Sequence, residues 1–313
     1  AEAAARAQAL VAAGKLDVRV VNALLGAIGQ PPLPITDATD RGISFAHMGK
    51  TAFFSSLGSR YFVVKDTYDI YAAVRGLQNP ASQDVYDAAH APAHPQLEWL
   101  QDLLQSTDAR WKLVVNSTSL TGMVLDLTGT TPGLPPAIAA AMAQLPPDLR
   151  NRFYLNVDQM DGFPAFKAAL LGLYGSRDNV ALLAGDIHGS FVAQHPGNVW
   201  EFTGPAVSSF AFRSGLLDVV RTDPVLSQVP GAAELIGQLD LLLTLANTEV
   251  RYANTGVNGA VVMEASSKKL TATYWQIDGA EATRSYYEHP LRLLDKLMPK
   301  TFEVAAERMK IGV

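Results

Sequence analysis

Residues 178–190 read Asp-Asn-Val-Ala-Leu-Leu-Ala-Gly-Asp-Ile-His-Gly-Ser. An apolar run, Val180 to Ala184, stops at Gly185 and is followed by Asp186 and His188. Alternate residues of a strand share a side, so this spacing lets a carboxylate and an imidazole converge just beyond the strand end. In open α/β sheets that is where ligands bind. A carboxylate beside an imidazole is a natural pair of metal ligands. The plain alternative is a strand followed by a polar turn, with Asp186 as a cap and His188 merely exposed.

Two further strand ends carry polar groups. Trp111–Val115 is a strand stopped by Asn116-Ser117-Thr118, and Phe153–Val157 leads to Asp158 and Asp161. If these strands are parallel neighbours of Val180–Ala184, then Asn116, Asp158, Asp161, Asp186 and His188 share one rim. That donor set suits Ca, Mg, Mn, Fe or Zn and not copper(I).

The elements that must position these groups alternate. Arg60–Tyr68 reads as a strand, Pro95–Gln105 as a helix with Leu97, Leu100, Leu103 and Leu104 on one face, and Pro164–Tyr174 as a helix opened by its proline. Residues 76–95 read as a loop, Val18–Ile28 as a helix or buried strand, and 216–246 as mostly helical with breaks at Pro224, Pro230 and Gly231. Gly259–Ala265 and Leu270–Gln276 read as a hairpin. Strand–helix alternation over 60–204 points to a layered α/β domain, and the final hairpin to an antiparallel part of its sheet. The expected divisions are a helical or irregular segment 1–58, the main domain 59–280 and a charged, amphipathic tail 281–313.

Composition narrows the function classes. The chain has 313 residues, 48% hydrophobic and 18% charged, enough for one large domain or two smaller ones. Its net charge of −5 and pI of about 5.7 argue against nucleic acid as a partner. Without cysteine, any metal must be held by oxygen and imidazole. No apolar run reaches the roughly 18–20 residues of a membrane span, and the first residues lack the pattern of a signal peptide.

Several segments together resemble the PhoD-like (alkaline phosphatase D type) metallophosphoesterases. Ala184-Gly185-Asp186-Ile187-His188-Gly189-Ser190 is similar to their Gly-Asp-Ile-His motif. Asp158-Gln159-Met160-Asp161-Gly162-Phe163-Pro164 is similar to their Asp-x-Trp-Asp-Gly-Tyr-Pro segment, with Met160 for Trp and Phe163 for Tyr. The helix and strand from Gln96 to Asn116, the run Val199 to Ser209, and Arg251 to the terminal hairpin resemble the neighbouring units. The resemblance covers roughly residues 60–277, and the order of five segments makes it more specific than any one motif.

What the resemblance implies is a four-layer αββα hydrolase with a two-metal site, often calcium with iron, cleaving phosphate monoesters or diesters. Asp186 and His188 would be metal-binding and catalytic. Asn116, Asp158 and Asp161 would be ligands or lie next to them. An exported location, periplasmic or extracellular, is implied as well. The departure is at the amino-terminal side, where these enzymes place further Asp and Asn/Asp-His ligand motifs that are not found before residue 60. The chain thus reads as the carboxy-terminal half, completed by a missing amino-terminal segment or a second chain. Its start at Ala1 and not at Met favours a proteolytic cut.

Some residues read as structural. Asp66 stands where the family has Asp-Thr-Arg, here with Tyr68 for the Arg. His47, His90, His94 and His195 are expected to be structural or exposed, and Trp99 and Trp111 to be core. Two rival functions remain. One is a non-catalytic assembly protein with an eroded site; the apolar helices at 214–246 would suit a subunit interface under this reading and the enzyme reading alike, a homo-oligomer included. The other is a phospholipid-directed phosphodiesterase whose apolar 121–145 insert forms a lid.

Overall fold

The computed structural model describes residues 5–6, 9–10, 13, 15–27, 32–44, 52–54, 57, 60–78 and 95–306. In chain order, its strands are β1 (Lys15–Leu16), β2 (Ile43–Ser44), β3 (Tyr61–Val64), β4 (Lys112–Val115), β5 (Val124–Asp126), β6 (Arg152–Asn156), β7 (Val180–Ala184), β8 (Ser190–His195), β9 (Val199–Thr203), β10 (Val250–Asn254), β11 (Val257–Ala265), β12 (Lys269–Asp278) and β13 (Met298–Ala305). The helices used below are α1 (Val18–Ala27), α2 (Lys65–Gln78), α3 (Pro95–Ser106), α4 (Pro136–Ala143), α5 (Pro164–Gly175), α6 (Phe212–Thr222), α7 (Ala232–Gly237) and α8 (Leu239–Ala246). The fold is mixed α/β.

The chain forms two compact units. The first comprises 1–98, 123–128 and 146–167, and the second 99–122, 129–145 and 168–313. In the first, β3, β6 and β5 make a three-stranded antiparallel sheet with β6 central. Phe153 and Leu155 of β6 are buried, and Phe54 packs edge-on against Phe153 at 5.1 Å. The strand expected over Arg60–Tyr68 ends at Val64. Lys65 opens α2, whose first turn carries Asp66 and whose Tyr68 is buried with its hydroxyl on the Gly162 carbonyl, 2.6 Å away. Of the segment expected to be a loop over 76–95, residues 76–78 are helical, and 79–94 lie outside the described residues, as do His47, His90 and His94.

In the second unit five strands run in the order β10-β8-β9-β7-β4. The pairs β4–β7 and β7–β9 are parallel, while β8–β9 and β8–β10 are antiparallel. Ala181 of β7, Val192 of β8 and Phe202 of β9 pack against Leu270, Ala272 and Tyr274 of β12 and Val304 of β13. The antiparallel sheet β11-β12-β13 therefore lies face to face with the five-stranded sheet, with a core between them. Strands β11 and β12 form the expected hairpin, and β12 alternates, burying Leu270, Ala272, Tyr274 and Gln276. Strand β13 comes from the stretch that the sequence sets apart as a tail.

Several apolar residues of the expected lid are buried inside the units. Met123, Leu125 and Leu127 are buried in the first, and Met142 in the second. The expected helical region 216–246 breaks at Pro224 and at Pro230-Gly231, where Gly231 takes a left-handed φ of 79°. Its Leu235, Ile236, Leu239, Leu242 and Leu243 are buried within this chain. Trp99 departs from the sequence expectation of a core residue, because it is 61% exposed on α3. Trp111 is partly buried against the inter-sheet core, and its indole donates to the Ser266 carbonyl.

Candidate functional site

Asn116 and the Gly185–Gly189 segment follow parallel neighbours, β4 and β7. The Asn116 amide donates to the Leu183 carbonyl at 2.8 Å, which fixes both strand ends at one edge of the sheet. That edge is the carboxyl end of the parallel strands, as the sequence predicts. Asp158 and Asp161 are not on it. Their strand, β6, belongs to the antiparallel sheet of the first unit, so the expected single rim of parallel neighbours does not form from β4, β6 and β7.

Nor does the strand period reach Asp186 and His188. Strand β7 ends at Ala184, and both residues take left-handed backbone angles, φ 72° and 61°. Such angles are uncommon for residues with a side chain. The Ile187 amide donates to the Gly185 carbonyl at 2.9 Å. With Asp186 at positive φ between them, this is the rarer, strained form of γ-turn. The turn is held from several sides. Gly204 N donates to the Ala184 carbonyl and Phe212 N to the His188 carbonyl, each at 2.9 Å. Ile187 is buried between the exposed Asp186 and the half-buried His188. Strain of this kind persists only where its surroundings enforce it.

His188 is oriented by its backbone neighbours. Nδ1 lies 3.0 Å from the Phe210 carbonyl oxygen, and the Phe210 ring meets the imidazole edge-on at 4.9 Å. A carbonyl can only accept, so Nδ1 carries the proton in this bond.

Asp158 and Asp161 are tied into local structure. Asp158 is exposed and pairs with Arg60 at 2.6 Å. Asp161 is buried, with Oδ1 accepting from Lys167 Nζ at 2.8 Å and Oδ2 from the Met123 amide at 2.7 Å. Asp66, expected to be structural, pairs with Arg152.

A second polar cluster, without a role in the sequence reading, lies on the face of the five-stranded sheet away from β12. Glu201 of β9 is fully buried. It accepts from Ser119 Oγ (2.9 Å), the Leu120 amide (2.8 Å), Thr121 Oγ1 (3.0 Å) and His195 Nε2 (2.7 Å). It thereby ties down the chain that leaves β4 through Asn116. The signal was a lone acid in the apolar run Val-Trp-Glu-Phe. His195 is structural, as expected, but buried. Tyr174 lies beside Asn116, and its phenol is pushed up to about 12 by burial first and the Glu201 charge second, while the Asn116 contact lowers it.

The fit to a metal is partial. His188 offers an imidazole whose other nitrogen is held on a carbonyl, the usual arrangement of a ligating histidine. Asp186 offers an exposed carboxylate. Among the described residues, however, no group of three or more His, Asp or Glu side chains is close enough to hold an ion. Two ligands fall short of the four to eight that zinc, calcium or iron takes.

The mixed α/β fold places a polar turn at the carboxyl end of its parallel strands. The PhoD-like phosphatase family matches residues 33–274, and the chain belongs to that family, a family of phosphoesterases. Among solved structures, one described as "Structure of PhoD" aligns with 69% of this chain and 33% of its own, at 15% identity and a TM-score of 0.39. The chain thus spans about a third of that protein's length. No curated protein matches it. No helix among the described residues is long and apolar enough to cross a membrane.

Proposed function

We propose that the chain is the carboxy-terminal, ligand-contributing part of a PhoD-like phosphoesterase. It would hydrolyse phosphate monoesters or diesters with bound metal, calcium and iron by family resemblance. The observation that carries this reading is the strained, well-held turn at Asp186–His188, sited at the carboxyl edge of the parallel strands. In it, Asp186 and His188 would hold metal, with Asn116 at the same edge. Bound metal supplies charge neutralisation at the phosphoryl oxygens and a more acidic water. His188 would serve through Nε2, as a ligand or as proton donor to the leaving-group oxygen. Asp158 and Asp161 remain candidates for ligation only if their present partners, Arg60 and Lys167, give way. The remaining ligands would come from an amino-terminal segment or partner chain, and an exported location goes with the family.

A second reading is a family member without catalysis. It is favoured by the commitment of both Asp161 oxygens and by the two-ligand count above. The two readings separate on purified protein. Native mass spectrometry and elemental analysis read the partner chain and the metal, and model mono- and diester substrates read the activity. Under the proposal Asp186→Asn loses metal and activity together. Protein that carries its amino-terminal partner chain and is still metal-free and inactive would establish the second reading.

A further inference from the structure

Asn258 is the second residue of β11 and is 1% exposed. Its Nδ2 donates to two backbone carbonyls of one loop, Ala206 at 3.1 Å and Ser209 at 2.6 Å. The Gly259 amide also donates to Ala206, at 3.0 Å. The amide orientation is dictated by these partners, since the flipped form would set Oδ1 against two carbonyl oxygens. The next residue of that loop, Phe210, presents its carbonyl to His188 Nδ1. Two residues on, Phe212 donates its amide to the His188 carbonyl. His188 is thus gripped by both its ring and its backbone on the segment 210–212. The Phe210 ring has room because residue 215 is glycine, where a Cβ would come within 2.7 Å of it.

We infer that Asn258 is a positioning residue for His188: by fixing the 206–209 loop it aims the Phe210 carbonyl, which keeps the imidazole proton on Nδ1 and Nε2 as the lone-pair nitrogen. The functional meaning of this rests on the phosphoesterase reading above, because Nε2 is the atom that reading uses. Preorganisation by backbone carbonyls is how histidines are held in one tautomer. A tautomer fixed in advance spares the site from selecting one when a ligand arrives.

The test needs no metal. In ¹⁵N-labelled protein, imidazole nitrogen spectra taken where histidine is neutral report the tautomer, and the His188 signals are assigned by their loss in His188→Gln. Wild type should show Nδ1–H at His188. Asn258→Asp, nearly isosteric but acceptor-only, should shift the tautomer ratio by about fivefold or more toward Nε2–H, the worth of one such bond. Phe210→Ala, which keeps the carbonyl, should leave it on Nδ1. If Asn258→Asp does not fold, Asn258→Ala removes the donors without adding repulsion and gives the same reading. An Nε2–H wild type, or an unchanged ratio in the Asn258 variant that folds, overturns the inference. Esterase assays of the same samples keep the two claims apart. Inactive protein with the expected tautomers loses the phosphoesterase reading and keeps the positioning role, whereas active protein with an Nε2–H wild type does the reverse.

Discussion

The Glu201 carboxylate, fully buried at the middle of β9, lies 2.7 Å from His195 Nε2 on the adjacent strand β8. Both residues belong to one unit, and Glu201 also carries the three contacts to Ser119, Leu120 and Thr121. A buried acid is tolerated only when its oxygens are matched by donors. Glu201→Gln keeps the volume but removes the charge and turns one acceptor into a donor, so that the partners of that atom must reverse their hydrogen bonds. Stability should fall by about 3 kcal/mol, within the range for breaking a buried charged network. Urea unfolding reads it, and a loss under about 1 kcal/mol would mean that the network is not a stabilising anchor.

Asp161 tests whether an acid of the family motif is structural in this chain. With Lys167 and the Met123 amide on its two oxygens, Asp161→Asn should cost about 2 kcal/mol in metal-free protein. Lys167→Met should cost a similar amount, and the double variant less than the sum, because the pair is one interaction. Additive losses would show that Asp161 and Lys167 act separately.

Much of the second unit was legible because its signals are local. Apolar runs mark β4 and β7, and the hairpin signal marks β11 and β12, where Leu270, Ala272 and Tyr274 are buried. The carboxyl edge of the parallel strands follows from where those runs stop. Asp158 and Asp161 were misplaced because a short run such as Phe153–Asn156 looks the same in a parallel as in an antiparallel sheet, and pairing is decided by partners distant in sequence. Asp186 and His188 stand at the sheet edge that the sequence indicates, but the strand period does not apply to them. Positive φ in non-glycine residues leaves no sequence mark when the surroundings impose it. Helix α2 was hidden behind the β-forming run of β3, and Trp99 was counted as core on residue type alone.

Two glycines should differ sharply when replaced by alanine. At Gly162 the new Cβ would sit 1.7 Å from the Val157 carbonyl oxygen, a backbone atom with nowhere to go. Gly162→Ala should cost about 4 kcal/mol or fail to accumulate as folded protein. At Gly256 the clash is with the Arg213 guanidinium, 1.9 Å away, which can swing aside at the expense of its bond to Asp240. Gly256→Ala should therefore stay folded and lose only about 1–2 kcal/mol. Equal losses in thermal unfolding would refute the distinction between backbone and side-chain obstruction.

Tyr174 predicts the alkaline limb of stability. Its phenol is pushed up to about 12 in the folded protein from an ordinary value of 10.0. Between these values the unfolded chain has lost the proton and the folded one has kept it. Stability is unaffected by this group below about pH 10, declines through the window and levels off above the folded value. Tyr174→Phe should remove up to about 1.4 kcal/mol per pH unit of that decline. Tyr154, raised by burial and by the charge of Asp69, still contributes its own part. Unfolding curves at stepped pH read the difference, and parallel limbs in the two proteins would assign the decline elsewhere.

The backbone at Asp186 makes the last prediction, and it separates strain from side-chain chemistry. Asp186→Ala and Asp186→Gly both delete the carboxylate and whatever it contacts, so they share that loss. They differ in that φ 72° is costly for alanine and free for glycine. Asp186→Gly should therefore be more stable than Asp186→Ala by about 1 kcal/mol, although glycine is ordinarily the worse choice for a fixed backbone. Under the phosphoesterase reading both variants are inactive, so activity does not distinguish them and chemical unfolding must. If alanine is the more stable, the turn relaxes when the acid is removed, and the left-handed angle is held by the Asp186 side chain and not by the surrounding hydrogen bonds from Ile187, Gly204 and Phe212.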